Sequence, residues 1–391
     1  MFRIAGTGCS LLDIIYAGVD FASPAFANYR SRRPGDGGLE PGKLVFTEDF
    51  EDFSGQPCLE ALGRITGERP PHATNIGGPG VVALINAVQL LDPEKFAVRF
   101  VGSIGTDELG AQLRRQLAAT PLDIRDYLKK PGTTPFTYVL SDPGHGGGGE
   151  RTFVNNIGTA WSLTPEDLDD EFFQADLVVF GGTGLVPPLH DALDQLLPRA
   201  RSGGALTVVN TVYDFRHQRL DPRGPWPLGA SHDSYAATDL LIADREEALR
   251  LSGQGSVSAA LGWFVTQGVG AAVVTDGMRD IHVAVGSSLY SPLKEDHFPV
   301  SRSVVRELEA HPERKGDTTG CGDNFAGGVI TSLARQRESG RACLDLREAV
   351  AWGAACGGLA CFHMGGVFVE TRPGEKRARV QACVEADLEL R

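Results

Sequence analysis

Residues 315–330 read KGDTTGCGDNFAGGVI, with glycines at 316, 320 and 322 beside Asp317 and Asp323, and a helical run NFAGGVITSLARQ follows. Glycines at a helix entry let backbone N–H groups converge on one spot, where the helix dipole also favours an anion. A carboxylate at the same spot repels an anion unless it handles a proton. Phosphoryl transfer needs both parts: amides to hold the transferring group and a base ~3 Å from the attacking hydroxyl. Gly320, Cys321 and Gly322 supply the amides in this reading and Asp323 supplies the base. The stretch is not a P-loop, since it lacks the G-K-[ST] ending. Taken alone, a glycine-rich helix entry is also an ordinary structural turn.

Two other glycine clusters stand near the N-terminus. GTGCSLL (residues 6–12) follows a strand and partly matches G-x-G-x-x-G, but Leu11 occupies the third glycine's place. No acidic residue ends a second strand about 20 residues on, which argues against a nicotinamide or flavin cofactor. NIGGPGVVALINAV places Gly77 and Gly78 before a helix. That pair fits either a tight turn or close backbone approach to a ligand.

The elements that must position these residues follow from periodicity. FRIAGTG reads as a buried first strand, and LLDIIYAGVDF continues extended. Residues 21–58 are polar and glycine-rich and read as a long surface insertion or lid segment. TTPFTYVLSD and ERTFVNN alternate as strands and form a hairpin around a mobile PGHGGGG turn. Beyond them, ADLVVFGG, GALTVVNT, TDLLIAD, GAAVVTDG and IHVAV are apolar strands separated by helical runs, which predicts a parallel sheet covered on both faces. LREAVAWGAACGGLACFHMG reads as one long helix of small residues, with His363 and the neighbouring cysteines packed inside it. The fold class is α/β: a doubly wound, mainly parallel sheet in a single domain, with a small β extension from the N-terminal half.

The 391 residues are 42% hydrophobic and 22% charged, ordinary for a chain with a large buried core. A formal charge of −13 argues against nucleic acid or an anionic membrane surface as partner. The seven cysteines (Cys9, Cys58, Cys321, Cys343, Cys356, Cys361 and Cys383) contain no C-x-x-C pair. They are expected as reduced thiols of a cytoplasmic protein, without disulfide frame or zinc site. No apolar run approaches the ~20 residues of a membrane span.

DTTGCGDNFAGGV resembles the C-terminal signature of the ribokinase (PfkB) family of carbohydrate and nucleoside kinases. The likeness continues in order through GTGCSLLD, NIGGPG, VGSIGTDELG, LIADREEAL and VVTDG, over roughly residues 3 to 375. It implies a ribokinase-like fold whose small β-sheet lid is contributed by segments near 13–60 and 133–157. It further implies ATP and Mg2+ as cofactors and a sugar or nucleoside as acceptor; exposed edges on such a lid would allow a homodimer through it. Asp13, Gly77 and Gly78 would bind the acceptor. Thr275 and Gly277 would bind the nucleotide, and Asp244 and Glu247 would hold magnesium through water. Asp317 would begin a loop that, with the backbone near Gly365 and Gly366, binds a monovalent cation such as K+; the residue also fits a plain turn cap, as Asp13 does.

The sequence departs from the family at Val82, where an asparagine is usual, and at Asp244, the asparagine of N-x-x-E. Asp280 stands where the nucleotide turn often has glycine, and Cys321 replaces an alanine while keeping its backbone N–H. Arg151 reads as a solvated charge on the hairpin. The expected activity is ATP-dependent phosphorylation of a sugar hydroxymethyl group. The alternatives are an adenosine-like nucleoside kinase, suggested by GKLVFTEDFE and GERTFVNNIGTA, and a sugar-binding regulator without turnover. A pure binder has no need of a base at Asp323. Acceptor identity, oligomeric state and the role of residues 21–58 are not readable from spacing.

Overall fold

The protein, as a computed structural model, is described for residues 1–33, 35–147, 149–293 and 296–389. Its strands in chain order are β1 (Phe2–Gly8), β2 (Leu11–Ala17), β3 (Leu44–Phe46), β4 (Ala73–Gly77), β5 (Phe96–Ile104), β6 (Tyr127–Lys129) and β7 (Phe136–Asp142). They continue with β8 (Glu150–Asn156), β9 (Leu177–Gly181), β10 (Leu206–Asn210), β11 (Leu240–Asp244), β12 (Ala271–Thr275), β13 (Ile281–Val285) and β14 (His297–Phe298).

The large sheet runs β14-β13-β12-β11-β10-β9-β1-β5-β6. It is parallel from β6 to β12. Its strands are apolar on both faces because helices cover both. Ile4, Leu177, Val179, Val208 and Ile242 join the core under the helices Pro79–Leu90 and Cys321–Glu338. Ala5, Val178, Phe180, Val209 and Ala243 join the opposite core. The strand order reverses at β1, with β5 and β6 on one side and β9 to β12 on the other. In such sheets a ligand crevice opens at the carboxyl ends of the strands at that point.

IHVAV departs from the expected parallel pattern. It forms β13, which pairs antiparallel with β12, because residues 276–280 between them are too few for a crossover helix and suffice only for a hairpin. The expected long C-terminal helix is also shorter. It spans Leu346–Leu359, tightens into a turn at Ala360–Phe362, and leaves His363 beyond its end.

The small sheet runs β3-β8-β7-β2-β4, and β7 and β8 make the expected hairpin, Phe136 opposite Asn156 through Asp142 opposite Glu150. Gly148 of its glycine turn and Pro34 of the 21–58 segment lie outside the described residues. That segment is more than a surface insertion. Phe26, Leu39 and Phe50 are fully buried in it, and it supplies β3 and the helix Thr47–Ser54. The chain passes from β1 to β2 through Cys9 and Ser10 alone, so an interior strand of the large sheet feeds directly into the lid. No helix among the described residues is long and apolar enough to cross a membrane.

Candidate active site

The site lies where β1 hands over to β2. Asp13 on β2 sits opposite Asn75 of β4 and Thr137 of β7. Its carboxylate lies directly over Gly77, so close that a Cβ there would collide with both carboxyl oxygens. That contact is the reason for glycine at 77. Gly78 then caps the helix Pro79–Leu90. The predicted acceptor residues Asp13, Gly77 and Gly78 are therefore in one place.

The glycine loop stands across from them. Gly320 adopts φ 76° as the N-cap of the helix Cys321–Glu338, a left-handed conformation that favours glycine, and a Cβ there would come within 2.6 Å of Gly366. Cys321 and Gly322 open the helix, and nothing lies within 4 Å of the position a Gly322 side chain would take. Asp323, in the helix's first turn, is half-buried. Burial pushes its carboxyl up to about 7. Asp13 is pushed up to about 8, first by burial and then by the charges of Asp323 and Asp317, with Arg151 opposing. Asp323 at the helix N-terminus and Asp13 on β2, both raised toward neutrality, suit proton transfer near neutral pH.

Arg151 is not the solvated charge its sequence context suggested. From β8 its Nη1 donates to Thr319 Oγ1 at 2.8 Å, so the lid places a cation on the glycine loop. Asn75 is a second residue that sequence reasoning missed. Its Nδ2 donates to the carbonyls of Met364 at 3.0 Å and Val367 at 3.1 Å, pinning the Gly365–Gly366 turn to β4. In both cases the partner is remote in the chain, and no local spacing signals the pairing.

Asp317 is buried. Its Oδ1 accepts from the Thr319 N–H at 2.9 Å and the Gly365 N–H at 3.4 Å, while Oδ2 has no hydrogen-bond partner among the described residues. A buried carboxylate oxygen left in this way, beside a glycine turn, fits a small cation. His363 packs against the same loop. Its backbone carbonyl accepts from the Asp317 N–H, and burial, then Lys376, hold its ring down to about 4.

Asp244 and Thr275 end adjacent strands and are direct register partners. Asp244 caps the helix Arg245–Ser252: its Oδ1 accepts from Glu247 N–H at 2.7 Å, and Glu247 Oε2 accepts from Asp244 N–H at 2.9 Å. Thr211 Oγ1 also donates to Glu247 Oε2 at 2.6 Å. Aspartate caps a helix as well as asparagine does, so the departure at 244 keeps the turn. Glu247 is buried and raised far above the usual carboxylate range, first by burial and then by Asp244. Each acid keeps one carboxyl oxygen outside this box, a donor set suited to a hydrated hard cation. Gly277 is exposed on the β12–β13 turn. Val82, in place of the family asparagine, is buried against Gly366.

Residues 72–372 match the description pfkB family carbohydrate kinase. The chain belongs to this family. It is an ATP-dependent carbohydrate or nucleoside kinase. Asp13 and the 21–58 segment precede the matched stretch of this pfkB chain. It is 25% identical over 267 residues to aminoimidazole riboside kinase of Salmonella typhimurium, covering 67% of this chain and 75% of that one.

Solved structures share the fold. The ribokinase of Thermotoga maritima aligns with TM-score 0.61 at 16% identity, over 98% of this chain and 100% of its own. Adenosine kinase from Schistosoma mansoni in complex with 2-fluoroadenosine aligns with TM-score 0.69 at 16% identity, over 93% and 96%. A putative ribokinase II of E. coli in complex with ATP and Mg2+ aligns with TM-score 0.63 at 18% identity, over 100% of both chains.

Proposed function

We propose that this pfkB kinase phosphorylates the hydroxymethyl group of a sugar, with Asp323 as general base. The observation that carries the reading is that Asp323, in the first turn behind the Gly320–Gly322 amides, lies near enough for its charge to raise the carboxyl of Asp13 on β2. Asp13, beside Gly77 and Gly78, accepts hydrogen bonds from acceptor hydroxyls and aims the reacting one. Asp323 takes its proton as the oxygen attacks the γ-phosphorus of ATP, and ADP leaves. The amides of Gly320, Cys321 and Gly322 and the guanidinium of Arg151 face the negative charge that develops on the phosphoryl oxygens. Thr275 and Gly277 hold the nucleotide at the sheet edge.

Asp244 and Glu247 would hold magnesium through its water shell; the ion neutralises phosphate charge when bound. Asp317, with the backbone of the Gly365–Gly366 turn, would hold a monovalent cation such as K+ and stiffen the loop that ends at Asp323.

A second reading, a nucleoside acceptor, is favoured by the 25% identity to a riboside kinase. The discriminating experiment measures ADP release over a panel of free sugars and nucleosides, comparing the parent with Asp13→Ala. A sugar acceptor whose KM rises in the variant while that for ATP stays put supports the first reading. ADP release with nucleosides alone replaces it by the second. ADP release with neither class overturns both.

A further inference from the structure

Cys321 and Cys361 meet at the edge of the anion loop, with their sulfurs 3.5 Å apart. Cys321 is the first residue of the helix Cys321–Glu338, and its backbone N–H belongs to the proposed phosphate-holding set. Cys361 sits in the Ala360–Phe362 turn, and its carbonyl accepts from the Gly316 N–H at 2.8 Å. Cys361 therefore touches both ends of the loop 316–321, one through a backbone hydrogen bond and the other through sulfur. Both side chains are half-buried, not sealed.

We propose that this pair is a reversible modification site, at which a peroxide joins Cys321 to Cys361 and the resulting disulfide disables the anion loop. A disulfide needs about 2 Å between sulfurs, so the pair closes by roughly 1.5 Å. Cys361 is the attacking thiol. The hydrogen bond with Cys321 holds its pKa below the ordinary thiol value, the Lys315 and Arg151 charges add to this, and burial opposes. Its thiolate attacks one peroxide oxygen; the S–O bond forms, the O–O bond breaks, and hydroxide leaves. Cys321 gives its proton to that hydroxide and attacks the sulfenic sulfur; the S–S bond forms, and the second oxygen leaves with the proton that Cys361 released to solvent, as water. Two thiols are oxidised by two electrons, and hydrogen peroxide is reduced to two waters. A dithiol reverses the step by exchange.

The disulfide draws the first helical residue toward the Ala360–Phe362 turn and moves its amide off the phosphate position. The effect on turnover rests on the proposed role of the loop; the cross-link does not. The test treats the full chain with hydrogen peroxide, maps peptides without reductant, and assays ADP release before and after added dithiol.

The expected results are a Cys321–Cys361 peptide, about 10²-fold or greater loss of turnover, the scale of a lost oxyanion donor, and recovery with dithiol. Cys361→Ser should keep its activity through the same treatment. Absence of the linked peptide at full inactivation overturns the site, as does equal inactivation of Cys361→Ser. The linked peptide with unchanged turnover overturns the claim that it disables the loop, leaving the cross-link established.

Discussion

Asp13 is enclosed between β4 and β7 of the small sheet and only 5% exposed, with Gly77 buried beside it. Thr275, Gly277 and Asp244 stand at the open carboxyl edge of the large sheet, where Gly277 and Asp244 are exposed. Raised carboxyls occur on both sides: Asp323 and Asp13 are pushed up to about 7 and about 8, and Glu247 beneath the Asp244 cap is pushed up to about 8. On the enclosed side Gly77 is pressed against the Asp13 carboxylate, with no room for a Cβ there. The open side is built by a strand end and a helix cap whose groups satisfy one another. The difference follows the chemistry assigned to each side. A hydroxyl is deprotonated by a base raised toward neutrality, whereas a nucleotide's cation needs carboxylate oxygens within reach of its water shell.

The comparison breaks first at Asp323. Asp323→Asn should retain the fold and ATP binding and lower kcat by ~10²–10⁴-fold, the scale of a lost general base. Calorimetric ATP binding alongside turnover checks this, and a near-normal kcat removes Asp323 from the chemistry.

Gly77→Ala should act on the enclosed side alone. Its methyl group would displace the Asp13 carboxylate, so the acceptor's KM should rise at least ~10-fold, on the scale of a lost charged hydrogen bond, with that of ATP little changed. Equal rises in both would show that the two sides are not separately built.

Asp13→Asn sharpens the comparison through stability. A carboxyl raised to about 8 binds its proton more tightly in the folded chain than in the unfolded one, where it titrates near 4. Its contribution is therefore present below the unfolded value and is lost as pH rises through about 8. The variant should melt roughly 2–4 °C above the parent at pH 8 and converge with it near pH 4. A variant that melts lower at pH 8 would show that the carboxylate stabilises the fold.

The smallest effect is expected on the open side. Asp244→Asn preserves the cap and removes one charge beside Glu247, so it should weaken the dependence of kcat/KM for ATP on free magnesium by a few-fold at most. Superimposed titrations would place Asp244 away from the metal.

What could be read from sequence alone divides along similar lines. The Gly316–Asp323 loop and the Gly77–Gly78 turn are local, and the conformations they require leave residue types behind. Arg151 was misread because its partner Thr319 lies 168 positions away. Asn75 holds a turn 289 positions on. The 21–58 segment left surface insertion and lid as alternatives because Phe26, Leu39 and Phe50 follow neither helical nor strand periodicity, yet all are buried together with the helix Cys58–Thr66. IHVAV carried the apolar signature of its parallel neighbours, and only the short connection before it distinguishes a hairpin from a crossover.

The central claim is that Asp323 works as a base whose titration lies near neutrality. It is tested by kcat/KM for ATP against pH with the acceptor saturating, so that Asp13 is already engaged, in the parent and in Asp323→Asn. The base acts in its deprotonated form. The parent's rate should therefore climb as pH rises, bend near 7 where Asp323 titrates, and level off above, while the variant's residual rate shows no such limb. The same limb in both proteins would assign the titration to another group and contradict the account.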